Sequence, residues 1–92
     1  MEKVVDQFGY EYEKGDYLTF PFRGLSSRYM TMVSARVLEV RSDGSLKVVV
    51  ASRYSYMYKT TLNRIDRTTR IMDALTIERL KETFLMLEKK NN

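Results

Sequence analysis

Residues 29–50, YMTMVSARVLEVRSDGSLKVVV, carry the pattern from which the fold follows. Residues 29–41 are strand-like throughout, yet the parity of their apolar positions changes along the run. Met30 and Met32 share one face, Val33, Ala35 and Val37 the other, and Leu38 with Val40 switches back. A flat strand cannot bury both sets on one side. A bulge or sharp bend between Ser34 and Leu38 can, and such bends are how short strands roll into small barrels. Ser42-Asp43-Gly44-Ser45 then supplies a tight reversal, because Asp-Gly between extended runs favours a hairpin. On the return strand Leu46, Val48 and Val50 alternate inward.

Outward from this hairpin the chain stays β-type. Residues 17–22, YLTFPF, place Leu18, Phe20 and Phe22 on one face, while Pro21 confines the strand to an edge or ends its pairing there. Residues 23–28 read as a loop. Residues 1–16 read as an N-terminal hairpin or two short extended pieces, with Asp and Gly marking the reversals. Residues 60–71 continue as a further strand or a short helical turn anchored by Leu62, Ile65 and Ile71. The barrel is thus expected over residues 17–71. A C-terminal α-helix is expected over 75–90, capped by Thr76 and stapled by Leu75 against Leu80, with Ile77, Leu80, Phe84 and Leu87 on its apolar stripe. Leu85 and Met86 fall off that stripe. They are expected to cover a neighbouring part of the barrel, the alternative being a patch for a second subunit or partner.

Several of these segments together carry a resemblance. Asp6 to Gly9, then Gly15-Asp16-Tyr17-Leu18-Thr19-Phe20, Ala35 to Val40, the Asp43-Gly44 turn and Leu46 to Val50 resemble the small five-stranded barrel shared by KOW, Tudor and Src-homology-3 domains. The resemblance covers residues 6–71 and rests on turns and core positions. Ala35 stands where KOW-type domains usually have glycine. The chain is also similar to small accessory proteins of tailed phages. The fold so implied is a bent antiparallel five-stranded barrel, mainly β, with the helix packed across one end. Barrels of this kind often bind nucleic acid, the ribosomal or transcription machinery, or a peptide, through loops and one sheet face.

Composition narrows the chemistry. Ninety-two residues suit one core. No run of about 18 apolar residues and no secretory leader stands out, so no membrane association and a cytoplasmic location are expected. The chain contains neither cysteine nor histidine. Disulfides, thiolate zinc sites, Cys-His or Ser-His nucleophiles and an imidazole base are therefore all outside its repertoire. The phosphate-cradling glycine motifs are missing as well. Glu11, Glu13 and Asp16 are the densest acidic group and read as a solvated turn rather than as paired catalytic carboxylates. A non-enzymatic binding module with no cofactor and no metal is the expectation.

The net charge of +4 is unevenly placed. Residues 1–16 hold Lys3 and Lys14 against Glu2, Asp6, Glu11, Glu13 and Asp16, a balance of −3. Residues 17–71 hold ten Lys and Arg against Glu39, Asp43 and Asp66, a balance of +7, and residues 72–92 are neutral. Within the basic region, Arg53-Tyr54-Ser55-Tyr56-Met57-Tyr58-Lys59 alternates tyrosines between terminal cations, and Arg64, Arg67 and Arg70 follow at three-residue spacing. Aromatic faces beside cations are the ingredients of a surface that stacks bases and contacts phosphates, so these eight residues are the candidate nucleic-acid site. Two alternatives stand beside it. Tyr54, Tyr56 and Tyr58 share the parity of Leu46, Val48 and Val50, and an unbroken strand turns them into the core. The arginines also suit a solvated strand edge that blocks aggregation. The partner is DNA or RNA on the first reading; on the second it is a host protein, engaged as a phage-type inhibitor engages an enzyme. The oligomeric state is left open.

Overall fold

The computed structural model describes residues 3–22, 30–51 and 56–90. Five strands form one antiparallel sheet: β1 (Tyr17–Phe22), β2 (Thr31–Val40), β3 (Leu46–Ala51), β4 (Met57–Leu62) and β5 (Thr69–Arg70), in the spatial order β4-β3-β2-β1-β5. A 3₁₀ turn, Ile65–Arg67, separates β4 from β5, and one helix, α1 (Ala74–Lys90), follows. The fold is mainly β, as the alternation of apolar residues predicts.

The parity change is resolved by a bulge. Val37 pairs with Val48 but Glu39 pairs with Lys47, so Leu38 is the extra residue of β2. The bulge lets Ala35 and Val37 face the same interior as Val40 on the far side of it, while Leu38 turns to the other face of the sheet. The reversal that follows is held by Asp43, whose Oδ1 accepts from the Ser45 N–H at 3.0 Å and the Ser45 hydroxyl at 2.6 Å. Gly44 occupies φ +89°, a left-handed conformation that costs any residue with a Cβ.

The sheet is rolled, and the route from β4 to β5 shows why. Leu62 ends β4 opposite Leu46, whereas Thr69 begins β5 beside Thr19, level with Ser34, Ala51 and Met57. The link must cross the whole sheet and climb back along β4. On a flat sheet that diagonal is about 25 Å, from strand spacings of ~4.8 Å and a rise of ~3.3 Å per residue. Seven residue steps that include a 3₁₀ turn span only about 20 Å. The edges must therefore curl toward each other. They do not join: β4 pairs only with β3, and β5 covers β1 only at Leu18 and Thr19. The result is a bent sheet rather than a closed barrel. Pro21, beyond the reach of β5, sits on an open edge, where its missing N–H costs no pairing.

Rolling gives the sheet an inner and an outer face. Inside lie Leu18, Phe20, Ala35, Val37, Leu46, Val48 and Val50, closed at the end by Val4, Tyr12 and Ile65. Outside, Tyr17 and Val49 meet Phe84 of α1, with Ile77 and Leu80 packed around them. Phe84 has no exposed surface, and its ring lies 5.7 Å from that of Tyr17. The Arg36 guanidinium sits 5.1 Å above the same ring and reaches Glu88 Oε1 at 3.2 Å, tying the helix to the strand.

Five expectations need correction, the first being the seat of the helix, which packs on the outer face of the sheet rather than across one end. The helix cap is Asp73, not Thr76: Asp73 Oδ2 accepts from the Thr76 N–H at 2.8 Å and the Thr76 hydroxyl at 2.6 Å. A carboxylate is a stronger acceptor for the helix start than a hydroxyl, and Thr76 becomes the N3 partner instead. Leu75 is consequently inside the helix and exposed, so it staples nothing. Leu85 and Met86 do not cover the sheet, because the helix meets it along Ile77, Leu80, Phe84 and Leu87 and leaves both residues pointing to solvent. Phe22 is likewise exposed, since β1 runs past the end of β3.

The N-terminal segment forms a small hairpin with a single bridge between Val5 and Glu11. Asp6 organises it. Oδ1 accepts from the N–H groups of Phe8 and Tyr10, both at 2.9 Å, and Oδ2 accepts from the Arg70 N–H at 2.8 Å. One side chain thereby shapes the turn and pins it to β5.

Candidate nucleic-acid interface

Of the eight residues singled out in the sequence, Arg53 and Tyr54 lie outside the described residues. The other six divide into four groups. Tyr56 and Tyr58 stand together at the start of β4, ring centroids 6.1 Å apart. Tyr58 is opposite Val50 and packs partly against the interior, which pushes its hydroxyl pKa up, with Tyr56 adding to the effect. Tyr56 is 47% exposed. The two readings of this motif thus fall on different residues: Tyr58 is half core, and Tyr56 offers its ring to solvent.

Lys59 projects from the other face of β4, opposite Val49, so it shares a strand but not a side with the tyrosines. It is exposed, as are Lys47 and Arg41.

Arg64 and Arg67 flank the 3₁₀ turn. Three residues make one turn of such a helix, so side chains at i and i+3 eclipse and the pair projects the same way. Both line a cleft of about 270 Å³ with Phe20 and Pro21 of β1, Thr61 and Leu62 of β4, Asn63 and Thr68. This is where the rolled sheet fails to close. Its floor is apolar and its rim is cationic. Arg64 Nε lies 3.6 Å from Asp66 Oδ1, an ion pair exposed on both sides, while the Arg67 guanidinium has no acidic partner among the described residues. The turn itself is rigid: Ile65 is buried, and the buried Thr68 hydroxyl donates to the Ile65 carbonyl at 2.7 Å while accepting from the Tyr12 hydroxyl at 2.7 Å.

Arg70 does not join them. After Thr68 the chain is extended, the three-residue spacing no longer means one face, and Arg70 turns toward the N-terminal hairpin. Its Nε lies 3.4 Å from Asp16 Oδ2 and its Nη1 donates to the Glu11 carbonyl at 3.2 Å. Asp16 also accepts from the Glu13 N–H at 2.7 Å, so this carboxylate is occupied with structure. Of the acidic group Glu11, Glu13 and Asp16, Glu11 pairs with Lys3 at 3.7 Å. Among the described residues no cluster of three or more carboxylates is placed to hold a metal ion, and no helix is long and apolar enough to cross a membrane.

What the sequence did not announce is the cleft floor. Phe20, Pro21, Leu62 and Asn63 come together only because the sheet rolls, and no local pattern in either segment signals it. Exposed apolar residues also lie where β1 and β2 extend past β3: Met30 and Met32, the latter 62% exposed, and Phe22, which pairs with Thr31 and so projects from the face opposite Met32. Comparison with protein-family models, curated proteins and solved structures gives no match to this chain.

Proposed function

We propose that the chain is a non-enzymatic module that binds nucleic acid in the cytoplasm along the open edge of its sheet. The observation that carries this reading is the pairing of Arg64 and Arg67 on the rim of an apolar cleft at one end of β4, with the exposed Tyr56 ring at the other. Tyr58 and Leu62 are four strand residues apart, about 13 Å, so a flexible polyanion can engage the tyrosine end and the arginine end together. Cations placed for phosphates beside rings placed for bases give affinity with little sequence preference. The surplus of basic residues in 17–71 supplies attraction at longer range, and the resemblance to KOW and Tudor barrels points the same way. The test is binding of a labelled oligonucleotide followed by anisotropy as salt is raised. A steep fall in affinity with salt supports the reading; no binding at low salt overturns it.

A second reading has its own observation. Met30 and Met32 are large exposed apolar side chains at one end of the sheet, the kind of surface that docks a protein. On this reading the chain is a modulator that docks on a host enzyme. A pull-down from the native host cell that recovers one stoichiometric protein, unaffected by nuclease, favours it over the first.

A further inference from the structure

We infer that the cleft between β1 and the corner after β4 takes one unpaired nucleobase, so that the chain selects single-stranded over duplex nucleic acid. This rests on the nucleic-acid reading above and deepens it. At about 270 Å³ the cleft falls just below the range of about 300–1,000 Å³ typical of drug-sized ligands, which leaves room for one flat ring system and little else. Its lining suits such a ring: Phe20, Pro21 and Leu62 supply apolar surface. Thr68 is unavailable as a reader because its hydroxyl is used twice within the protein. Asn63 is available: it is exposed, lines the cleft, and its side-chain amide makes no hydrogen bond to another described residue. An amide offers a donor and an acceptor together, which matches the edge of a base that has lost its pairing partner.

The charges fit the same ligand. Arg64 and Arg67 sit at the mouth, where the phosphates flanking an inserted base would lie, and none of the residues lining the cleft is acidic. Asp66, between the two arginines in sequence, holds Arg64 only through a solvent-exposed pair, which is worth at most about 1 kcal/mol and yields to a phosphate. A duplex cannot use the cleft without extruding a base, because its bases are stacked inward and their pairing edges are occupied. The arginines alone, by contrast, would serve either form.

Three labelled ligands of equal length separate the outcomes: a single strand, the same strand annealed to its complement, and a strand carrying consecutive abasic sites. The single strand should bind at least about fivefold more tightly than the duplex and the abasic strand, the lower bound expected for one base held against an apolar face. Asn63→Ala, an exposed change that leaves the fold intact, should narrow the single-strand to duplex ratio without altering duplex binding. Equal affinity for single strand and duplex, or for intact and abasic strands, overturns the inference while leaving the nucleic-acid reading in place. Failure of all three to bind overturns the reading itself.

Discussion

Arg70 Nε lies 3.4 Å from Asp16 Oδ2, and Arg70 does not line the cleft that Arg64 and Arg67 share. This contact decides how the basic region is divided. Arg70 is a brace: its backbone N–H donates to Asp6 and its Nη1 to the Glu11 carbonyl, and its Nε stands at ion-pair distance from Asp16 without a hydrogen bond. Arg36 is committed in the same way, to Phe84 and Glu88 on the helix. Two of the ten basic residues in 17–71 therefore hold the fold together, and the exposed cations left for a ligand among the described residues are Arg41, Lys47, Lys59, Arg64 and Arg67, of which Arg64 and Arg67 share the cleft.

The Asp6 carboxylate gives the molecule an acid-sensitive clasp. Burial pushes its pKa up, but the N–H groups of Arg70, Tyr10 and Phe8 outweigh that and hold it below the ordinary carboxylate value. A carboxyl whose pKa is lower folded than unfolded stabilises the fold above about pH 4, and that stabilisation is lost as pH falls through the folded value. Asp6→Asn should cost about 1.5–3 kcal/mol at neutral pH, the range for hydrogen bonds to a charged group, and should flatten the dependence of Tm on pH in the acid range. Thermal unfolding of both proteins from neutral pH downward checks this. Parallel curves would show that Asp6 is not the titrating clasp.

Tyr12 reports the opposite end of the pH scale. Its hydroxyl is buried against Thr68, and burial pushes its pKa up to about 12. Here the neutral form is favoured by folding. Stability is full below the unfolded value of about 10 and is lost as pH rises through the folded value. Tyr12→Phe should lower stability by about 0.5–1.5 kcal/mol at neutral pH, through the lost hydrogen bond, and should remove part of the decline above pH ~10. Tyr58 titrates high as well, so the readout is the difference between the variant and the parent.

How much of this was legible beforehand follows from the range of the forces involved. The bulge at Leu38, the Asp43-Gly44 turn and the inward row Leu46, Val48 and Val50 are written in spacing, because each depends on neighbours within a few residues. The helix stripe was legible for the same reason, but its cap was not. Asp73 and Thr76 both suit a helix start, and the choice turns on where the extended chain after Arg70 releases the backbone. The site was legible only in its ingredients. Three-residue spacing of arginines has one meaning in a 3₁₀ turn and another in a strand, and the boundary falls at Thr68, whose position is fixed by Tyr12, 56 residues away. The floor of the cleft depends on the roll of the whole sheet.

The docking of the helix rests on one side chain. Phe84 is fully buried between Tyr17, Val49 and the Arg36 guanidinium. Phe84→Ala should cost about 3–5 kcal/mol, from lost burial and the cavity left behind. Leu85→Ala, on the adjacent but solvent-facing position, should fall within about 0.5 kcal/mol of the parent. Urea unfolding of the two variants side by side is sufficient. Equal stability would mean that the helix does not pack through Phe84.

The division of the arginines makes the sharpest functional prediction. Arg64 and Arg67 are exposed at the cleft rim and make no bond that the fold depends on, so Arg64→Gln with Arg67→Gln should leave the unfolding midpoint nearly unchanged. If each contacts one phosphate of a single strand, the double variant should reduce the slope of log affinity against log salt by about 1.4, at ~0.7 per phosphate, and weaken all sequences alike. Arg70→Gln should do the reverse. It removes the Nη1 hydrogen bond to the Glu11 carbonyl and the ion pair with Asp16, which keeps the Glu13 N–H, and should lower stability by about 0.5–1.5 kcal/mol while leaving the salt slope of the folded protein unchanged. The comparison is made by anisotropy titration at several salt concentrations, with denaturant unfolding of the same preparations as the control. A salt slope that falls equally for Arg70→Gln and for the double variant would place Arg70 on the phosphate path after all. A double variant indistinguishable from the parent across salt would move the interface away from the cleft and favour docking through the apolar end at Met30 and Met32.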